Sequence, residues 1–326
     1  MSTANQISKN HWYRNEDLAG VPGPAREIQG YGENPPVVRW ENDAKLAINI
    51  VINYEEGSEL TFAMGDGEND GMHELPFDVE EQRDLAKESM YEYGSRAGIW
   101  RMFRTFDRLN VPITVFGAAV ALERNPAVAR KILERGDELV GHGYRWIDHF
   151  KYSREEEKDL IEMAMESFER LGLRPQGWYC REMSVHTREL LVEDGRFLYD
   201  SDYYGDDLPY WTFINGKSHM VVPYSLAVND CRYVIGTGYG SPSDFLDVMK
   251  RSVLQLLDDG DDCGRMMSIG LHPRITGNPA RTQALAEFIE WAKEQEGVVF
   301  SRRIDIAEKF MEQVPRPSTP GDRLNR

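Results

Sequence analysis

Cysteine is scarce in this chain: three in 326 residues, Cys180, Cys231 and Cys263, at no metal-type spacing. That excludes a disulfide framework and a cysteine-based metal site, suits a reducing cytoplasm, and leaves the three as small buried hydrophobes. Basic residues are also few, with 38 Lys plus Arg against 55 Asp plus Glu and a formal net charge of −17. Such a surface repels phosphate backbones and anionic lipid, so nucleic acid and membrane are excluded as main partners and a small-molecule substrate is expected. No apolar run approaches the ~20 residues that span a bilayer. The first twenty residues lack the apolar core of a secretory signal. Internal repeats and low-complexity blocks are missing as well. A chain that is 41% hydrophobic and 29% charged nevertheless has the material for a sizeable core. The expectation is a soluble cytoplasmic protein.

The first forty residues carry Pro22, Pro24, Pro35 and Pro36 among glycines and read as an irregular arm. Residues 41–314 form the expected catalytic domain, and 315–326 a polar, Pro-rich tail. An acidic stretch at 65–81 reads as a surface excursion. Between the ends, strand and helix signals alternate. Short apolar runs at 46–52, 113–117, 138–140, 176–179, 196–199, 266–270 and 297–301 read as strands. Asn125-Pro126 opens a helix that Gly136 closes, Ser153 to Glu156 is a capping box, and further helices are expected at 243–257 and 282–294. About seven β-α units predict an α/β fold, a distorted (β/α)7-type barrel in a single domain.

In parallel α/β folds, catalytic groups project from the C-terminal ends of strands. Those positions hold Asn53-Tyr54-Glu55-Glu56-Gly57, Gly141-His142-Gly143-Tyr144-Arg145-Trp146, Cys180-Arg181-Glu182 and Leu271-His272-Pro273-Arg274. Carboxylates, histidines and arginines on one rim suit hydrolysis: a carboxylate takes a proton from water and a histidine gives one to a leaving nitrogen.

These motifs, in this order, resemble those of the polysaccharide deacetylase (NodB-like) superfamily. Together with Tyr91-Glu92-Tyr93-Gly94-Ser95-Arg96-Ala97-Gly98, Tyr199-Asp200-Ser201-Asp202 and Gly205-Asp206-Asp207-Leu208-Pro209-Tyr210-Trp211, they are similar to its branch of PuuE-type, cofactor-independent allantoinases and cyclic imide hydrolases. The resemblance implies the NodB homology fold and an oligomer, with a tetramer suspected. His11, Trp12, Tyr13 and Trp211 are the candidate contacts, as large aromatics on irregular segments.

The departures from the superfamily pattern carry chemistry. Its deacetylases end the first strand with two aspartates, a general base and a metal ligand; here Glu55 and Glu56 stand there. Its second motif supplies two histidines four residues apart, one metal between them. Here His142 is followed at that spacing by Trp146, whose indole cannot ligate. His149 is seven residues on, roughly 10 Å along a helix. The arginine of the third motif is displaced too, with Tyr179 in its place and Arg181 two residues later. No metal or cofactor is therefore expected. If zinc or another divalent metal is bound, Glu56, His142 and Asp148 or His149 would hold it.

Without a Lewis acid, side chains and backbone N–H groups must do the work, and a cyclic ureide or imide is the easier substrate because its leaving nitrogen is less basic. The expected function is thus hydrolysis of a non-peptide C–N bond in such a ring, allantoinase-like. Glu55 is the expected general base, His272 the general acid, and His142 orients water or polarises the carbonyl. Glu56, Trp146, Arg181 and Arg274 are expected substrate contacts. A metal-dependent N-acetyl-sugar deacetylase is the alternative, and a non-enzymatic metabolite-binding barrel the third reading.

Overall fold

The computed structural model describes residues 22–24, 26–236 and 238–319. His11, Trp12 and Tyr13 of the arm, and 320–326 of the tail, lie outside the described residues. Nine strands are described: β1 (Leu46–Tyr54), β2 (Thr114–Gly117), β3 (Glu138–Gly141), β4 (Gly177–Trp178), β5 (Tyr199–Asp200), β6 (Tyr210–Ile214), β7 (Lys217–Val221), β8 (Arg265–Leu271) and β9 (Val298–Phe300). The helices described are α1 (Leu85–Tyr93), α2 (Ile99–Leu109), α3 (Ala119–Arg124), α4 (Pro126–Arg135), α5 (Arg154–Arg170), α6 (Thr187–Asp194), α7 (Pro242–Asp259), α8 (Pro279–Lys293) and α9 (Arg303–Gln313).

One curled sheet runs β6-β7-β5-β4-β3-β2-β1-β8, with β9 also on β1. Every pairing is parallel except β6 with β7. β1 is the centre: β8 pairs with one edge from Leu46 to Ile52, while β9 and β2 divide the other at Leu46–Ile48 and Val51–Tyr54. The two ends of the curl meet through the Asn229–Gly270 bridge beyond β7, the Ser268 hydroxyl bond to the Pro223 carbonyl and the Met266 N–H bond to the Asp207 carbonyl. The result is a curled α/β half-barrel in a single domain.

β1 is buried at all nine positions because both faces are covered. Its residues alternate all the same. Leu46, Ile48, Ile50, Ile52 and Tyr54 pack outward with Phe103 and Phe106 of α2, Phe245 of α7 and Phe288 of α8. Ala47 and Val51 pack inward with Phe116, Val140, Tyr199 and Met220. Local signals explain the helix ends: Ser153 and Glu156 form the capping box of α5, Ser241 and Asp244 that of α7, and Pro126 opens α4 while Gly136 closes it. Asn125 does not cap α4 with its side chain, which binds Ser95 instead.

Each of the seven expected strands has a counterpart, the one expected at 196–199 lying instead at Tyr199–Asp200, and the antiparallel hairpin β6–β7 is present as well. Its turn is Asn215-Gly216, both residues at positive φ, which matches the twist of a tight hairpin. α9 inserts Arg303, fully buried, into the barrel interior. Its guanidinium donates to Asn49 Oδ1 (2.9 Å), Ser268 Oγ (2.9 Å), Ser201 Oγ (2.7 Å) and the Val222 carbonyl (3.0 Å). Trp211, expected at a subunit contact, is instead buried in its own chain, where Nε1 donates to the Val314 carbonyl. The described part of the arm lies on the barrel through Val38 N–H to Cys263 and Trp40 Nε1 to Arg265. No helix among the described residues is long and apolar enough to cross a membrane.

Candidate active site

The alternation of strands decides which rim residues face one another. Continuing the inward set of β1 (Ala47, Asn49, Val51, Asn53) reaches Glu55, and the outward set reaches Glu56. Inward Glu138 and Val140 of β3 lead to His142; inward Met266, Ser268 and Gly270 of β8 lead to His272. Three separate strands thus deliver three titratable groups to one point.

They meet on the Glu55 carboxylate. Oε1 lies 3.2 Å from His142 Nε2 and 3.5 Å from His272 Nε2, and Oε2 accepts from Arg274 Nη1 at 2.8 Å. All four side chains are buried. His142 Nδ1 is 2.8 Å from the Tyr179 carbonyl oxygen, which can only accept, so Nδ1 carries the proton and Nε2 points inward. His272 Nδ1 is held at 2.6 Å by Asp230, whose other oxygen accepts the backbone N–H of His272 and of Thr276.

The charges follow from these contacts. Burial alone would lift the Glu55 carboxyl, but Arg274, His272 and the His142 bond outweigh it and hold it well below the carboxylate range. Burial alone would lower His272; Glu55 and Asp230 overcome that and raise it to about 9. At neutral pH the centre therefore holds an ionised Glu55 beside a protonated His272.

Glu56 faces the other way. Its oxygens accept the backbone N–H groups of Glu55 (3.2 Å) and Arg274 (3.1 Å), and burial pushes its carboxyl up to about 7. The expected substrate contact is thus replaced by a structural one, because Glu56 continues the outward set and meets the π-helical turn Gly94–Gly98. A Cβ at Gly94 would lie 2.4 Å from Glu56 Oε1, and one at Gly98 2.1 Å from the Pro273 carbonyl. The two glycines let this turn press against the loop that carries His272 and Arg274.

Trp146 and Tyr91 wall the site. The Arg274 guanidinium lies 4.4 Å from the Tyr91 ring and 5.1 Å from the Trp146 ring, and Arg181 covers the outer side of Trp146 at 4.1 Å. Arg181 is ion-paired with Asp70 and, at 3.1 Å, with Asp148. Asp70 also accepts from Tyr91 Oη at 3.0 Å and is buried. The acidic stretch expected on the surface therefore folds back over the rim, since its carboxylate is drawn to Arg181.

A superfamily metal does not fit these residues. Trp146 occupies the place of the second histidine. Asp148 is paired with Arg181 and Lys151, and His149 is buried against Glu157 at 3.0 Å. The alternative ligand set Glu56, His142 and Asp148 or His149 is not assembled, and no group of three His, Cys, Asp or Glu arranged so that it could hold a metal ion occurs among the described residues. Arg274, a fixed cation, stands against Glu55 and repels a second one.

Asp230, Tyr91 and Asp70 were not among the expected site residues. Tyr91 lies inside a motif quoted for the resemblance; Asp230, 42 residues before His272 in a short 3₁₀ turn, carries no spacing signal.

Comparison with known proteins gives the family and the fold. A polysaccharide deacetylase family profile matches residues 87–191. A Schizosaccharomyces pombe protein provisionally named a polysaccharide deacetylase is 32% identical over 325 residues, covering 93% of this chain and 99% of that protein. The chain belongs to the polysaccharide deacetylase family. Among solved structures, a probable polysaccharide deacetylase from Pseudomonas aeruginosa PAO1 superposes with a TM-score of 0.85 at 42% identity, over 89% of this chain and 99% of that one. PuuE allantoinase superposes with a TM-score of 0.85 at 41% identity, over 89% and 98%. Deacetylases of this family are generally metal-dependent.

Proposed function

We propose that the protein hydrolyses a C–N bond in a small cyclic ureide or imide. The observation that carries this reading is the buried Glu55 carboxylate set against the His142 and His272 imidazoles on one oxygen and the Arg274 guanidinium on the other. The similarity to PuuE allantoinase supports the same substrate class. Water entering between Glu55 and the two imidazoles separates the carboxylate from the His272 cation, while Arg274 stays on Oε2, and so restores part of its basicity. Glu55 then removes a proton as the water oxygen bonds to the ring carbonyl carbon, whose π pair moves onto oxygen. His142 holds the water through Nε2, which faces Glu55 Oε1 at 3.2 Å. As the tetrahedral centre collapses, the C–N bond breaks and His272 Nε2–H protonates the departing nitrogen. Glu55 then returns its proton to His272 across their short gap, and the opened product leaves as a carboxylic acid.

The test is turnover of allantoin, hydantoin, succinimide and phthalimide by purified protein, with acetate release from N-acetylated sugars as the contrast. Ring opening of at least one, reduced by roughly 10³-fold in Glu55→Gln, is the expected result. No turnover of any ring substrate would sink the substrate class.

A further inference from the structure

Arg274 has more hydrogen-bonding capacity than its partners use. Nη1 is engaged by Glu55, but Nε and Nη2, both buried, have no acceptor. These two N–H groups form the side-on edge of the guanidinium, the parallel fork that accepts one oxygen or a pair. Leaving charged donors unpaired in a buried site is costly, so the fork is held open by other interactions. Three hold it: the Tyr91 and Trp146 rings fix the plane, Glu55 fixes one end, and Glu56 binds the Arg274 backbone N–H.

We infer that the Nε/Nη2 edge of Arg274 is the oxyanion site, binding the carbonyl oxygen of a planar ureide or imide as that oxygen gains charge. The inference rests on the function proposed above and assigns the charge stabilisation that a metal supplies in related hydrolases to this chain's own side chain. When water attacks, the C=O π pair becomes a lone pair on oxygen, and the two N–H donors bind the anion without changing their own protonation. When the C–N bond breaks, that lone pair re-forms the C=O bond. The same guanidinium holds the base at one edge and the developing anion at the other, which fixes the distance between attacking water and carbonyl carbon.

Arg274→Lys separates the two edges, because a lysine keeps a cation near Glu55 and loses the fork. With hydantoin and succinimide, kcat is expected to fall by about 10²–10³-fold, the loss typical of an oxyanion donor, with KM raised by a smaller factor because the ground-state carbonyl loses the same two donors. The acid limb of kcat/KM should stay in place, since Glu55 retains a positive neighbour. A kcat within threefold of wild type overturns the proposal. So does a loss of activity matched by an upward move of the acid limb, which would make Arg274 a positioning residue for Glu55. Arg274→Ala, assayed with and without millimolar guanidinium chloride, provides a second test. Recovery of kcat supports the fork, and none in a protein with wild-type circular dichroism counts against it. A wild-type protein inert on every ring substrate overturns the proposed function instead. In that event calorimetric titration with hydantoin still reads the fork: equal affinity for wild type and Arg274→Lys overturns it, and weaker binding to the variant supports it.

Discussion

His272 keeps its proton at neutral pH because carboxylates flank both of its nitrogens. A histidine raised from 6.5 to about 9 adds stability that is fully present below pH 6.5 and is lost as pH rises through about 9. The acid catalyst disappears over the same interval, so kcat/KM is expected to fall above about pH 9. Asp230→Asn removes one of the two anions and should move that basic limb down by one unit or more; a pH–rate profile with an unchanged limb would remove His272 from the acid role. Glu55 has the opposite sign. Its depressed carboxyl adds stability above its unfolded value and loses it as pH falls through the folded one. Both contributions are complete between about pH 4.5 and 6.5; the His272 one is lost as pH rises towards about 9, and the Glu55 one only as pH falls well below 4.5. Glu55, His142 and His272 were legible in the sequence because each follows an apolar strand of readable period. Asp230 was not, because a ligand of a ligand needs only proximity, and a 3₁₀ turn between two longer elements has no period to read.

At the scale of elements, the π-helical turn Gly94–Gly98 is the part most sensitive to small changes. A single methyl at Gly98 meets the Pro273 carbonyl, so Gly98→Ala must displace either the turn or the loop behind it. The expected cost is about 1–3 kcal/mol of stability, by urea denaturation, with a larger relative loss of kcat because His272 and Arg274 sit on that loop. An unchanged kcat in Gly98→Ala would show that the loop tolerates the shift. The hairpin β6–β7 teaches a different lesson. Asn215-Gly216 is a strong turn signal, but the flanking segments 210–214 and 217–221 mix aromatic, hydroxyl and charged residues, so no apolar run marked them as strands. Asp70 shows the limit of composition: a carboxylate in an acidic stretch reads as solvated until its arginine, 111 residues away, is known. Asp70→Asn should weaken the cover over Trp146, and a change in KM larger than that in kcat is the expected sign.

The whole molecule is held from within by Arg303. Its fully buried guanidinium joins β1 and β8 with the segments just after β5 and β7 through buried side-chain and carbonyl acceptors. Arg303→Met keeps the volume but orphans those acceptors, and should cost about 3–5 kcal/mol, measured as a lowered urea midpoint with an unchanged slope. A loss below about 1 kcal/mol would mean that the interior relaxes around the methionine. The barrel class was legible from β-α alternation, while this internal charge was not: an arginine on a C-terminal helix looks like any surface cation until the helix is placed.

The divided edge of β1 has a consequence for synthesis. The most apolar strand of the sheet is made early, yet β8, which covers its full length, follows about 200 residues later, on the order of 10–40 s at about 5–20 residues per second. Throughout that interval one edge of β1 has no partner, and the other has only the four residues of β2. A nascent chain in this condition is a template for intermolecular pairing. Slowing translation after residue 120 should therefore lower the soluble yield, and holdase chaperones should bind ribosome-attached chains until residues 298–300 emerge and complete the second edge.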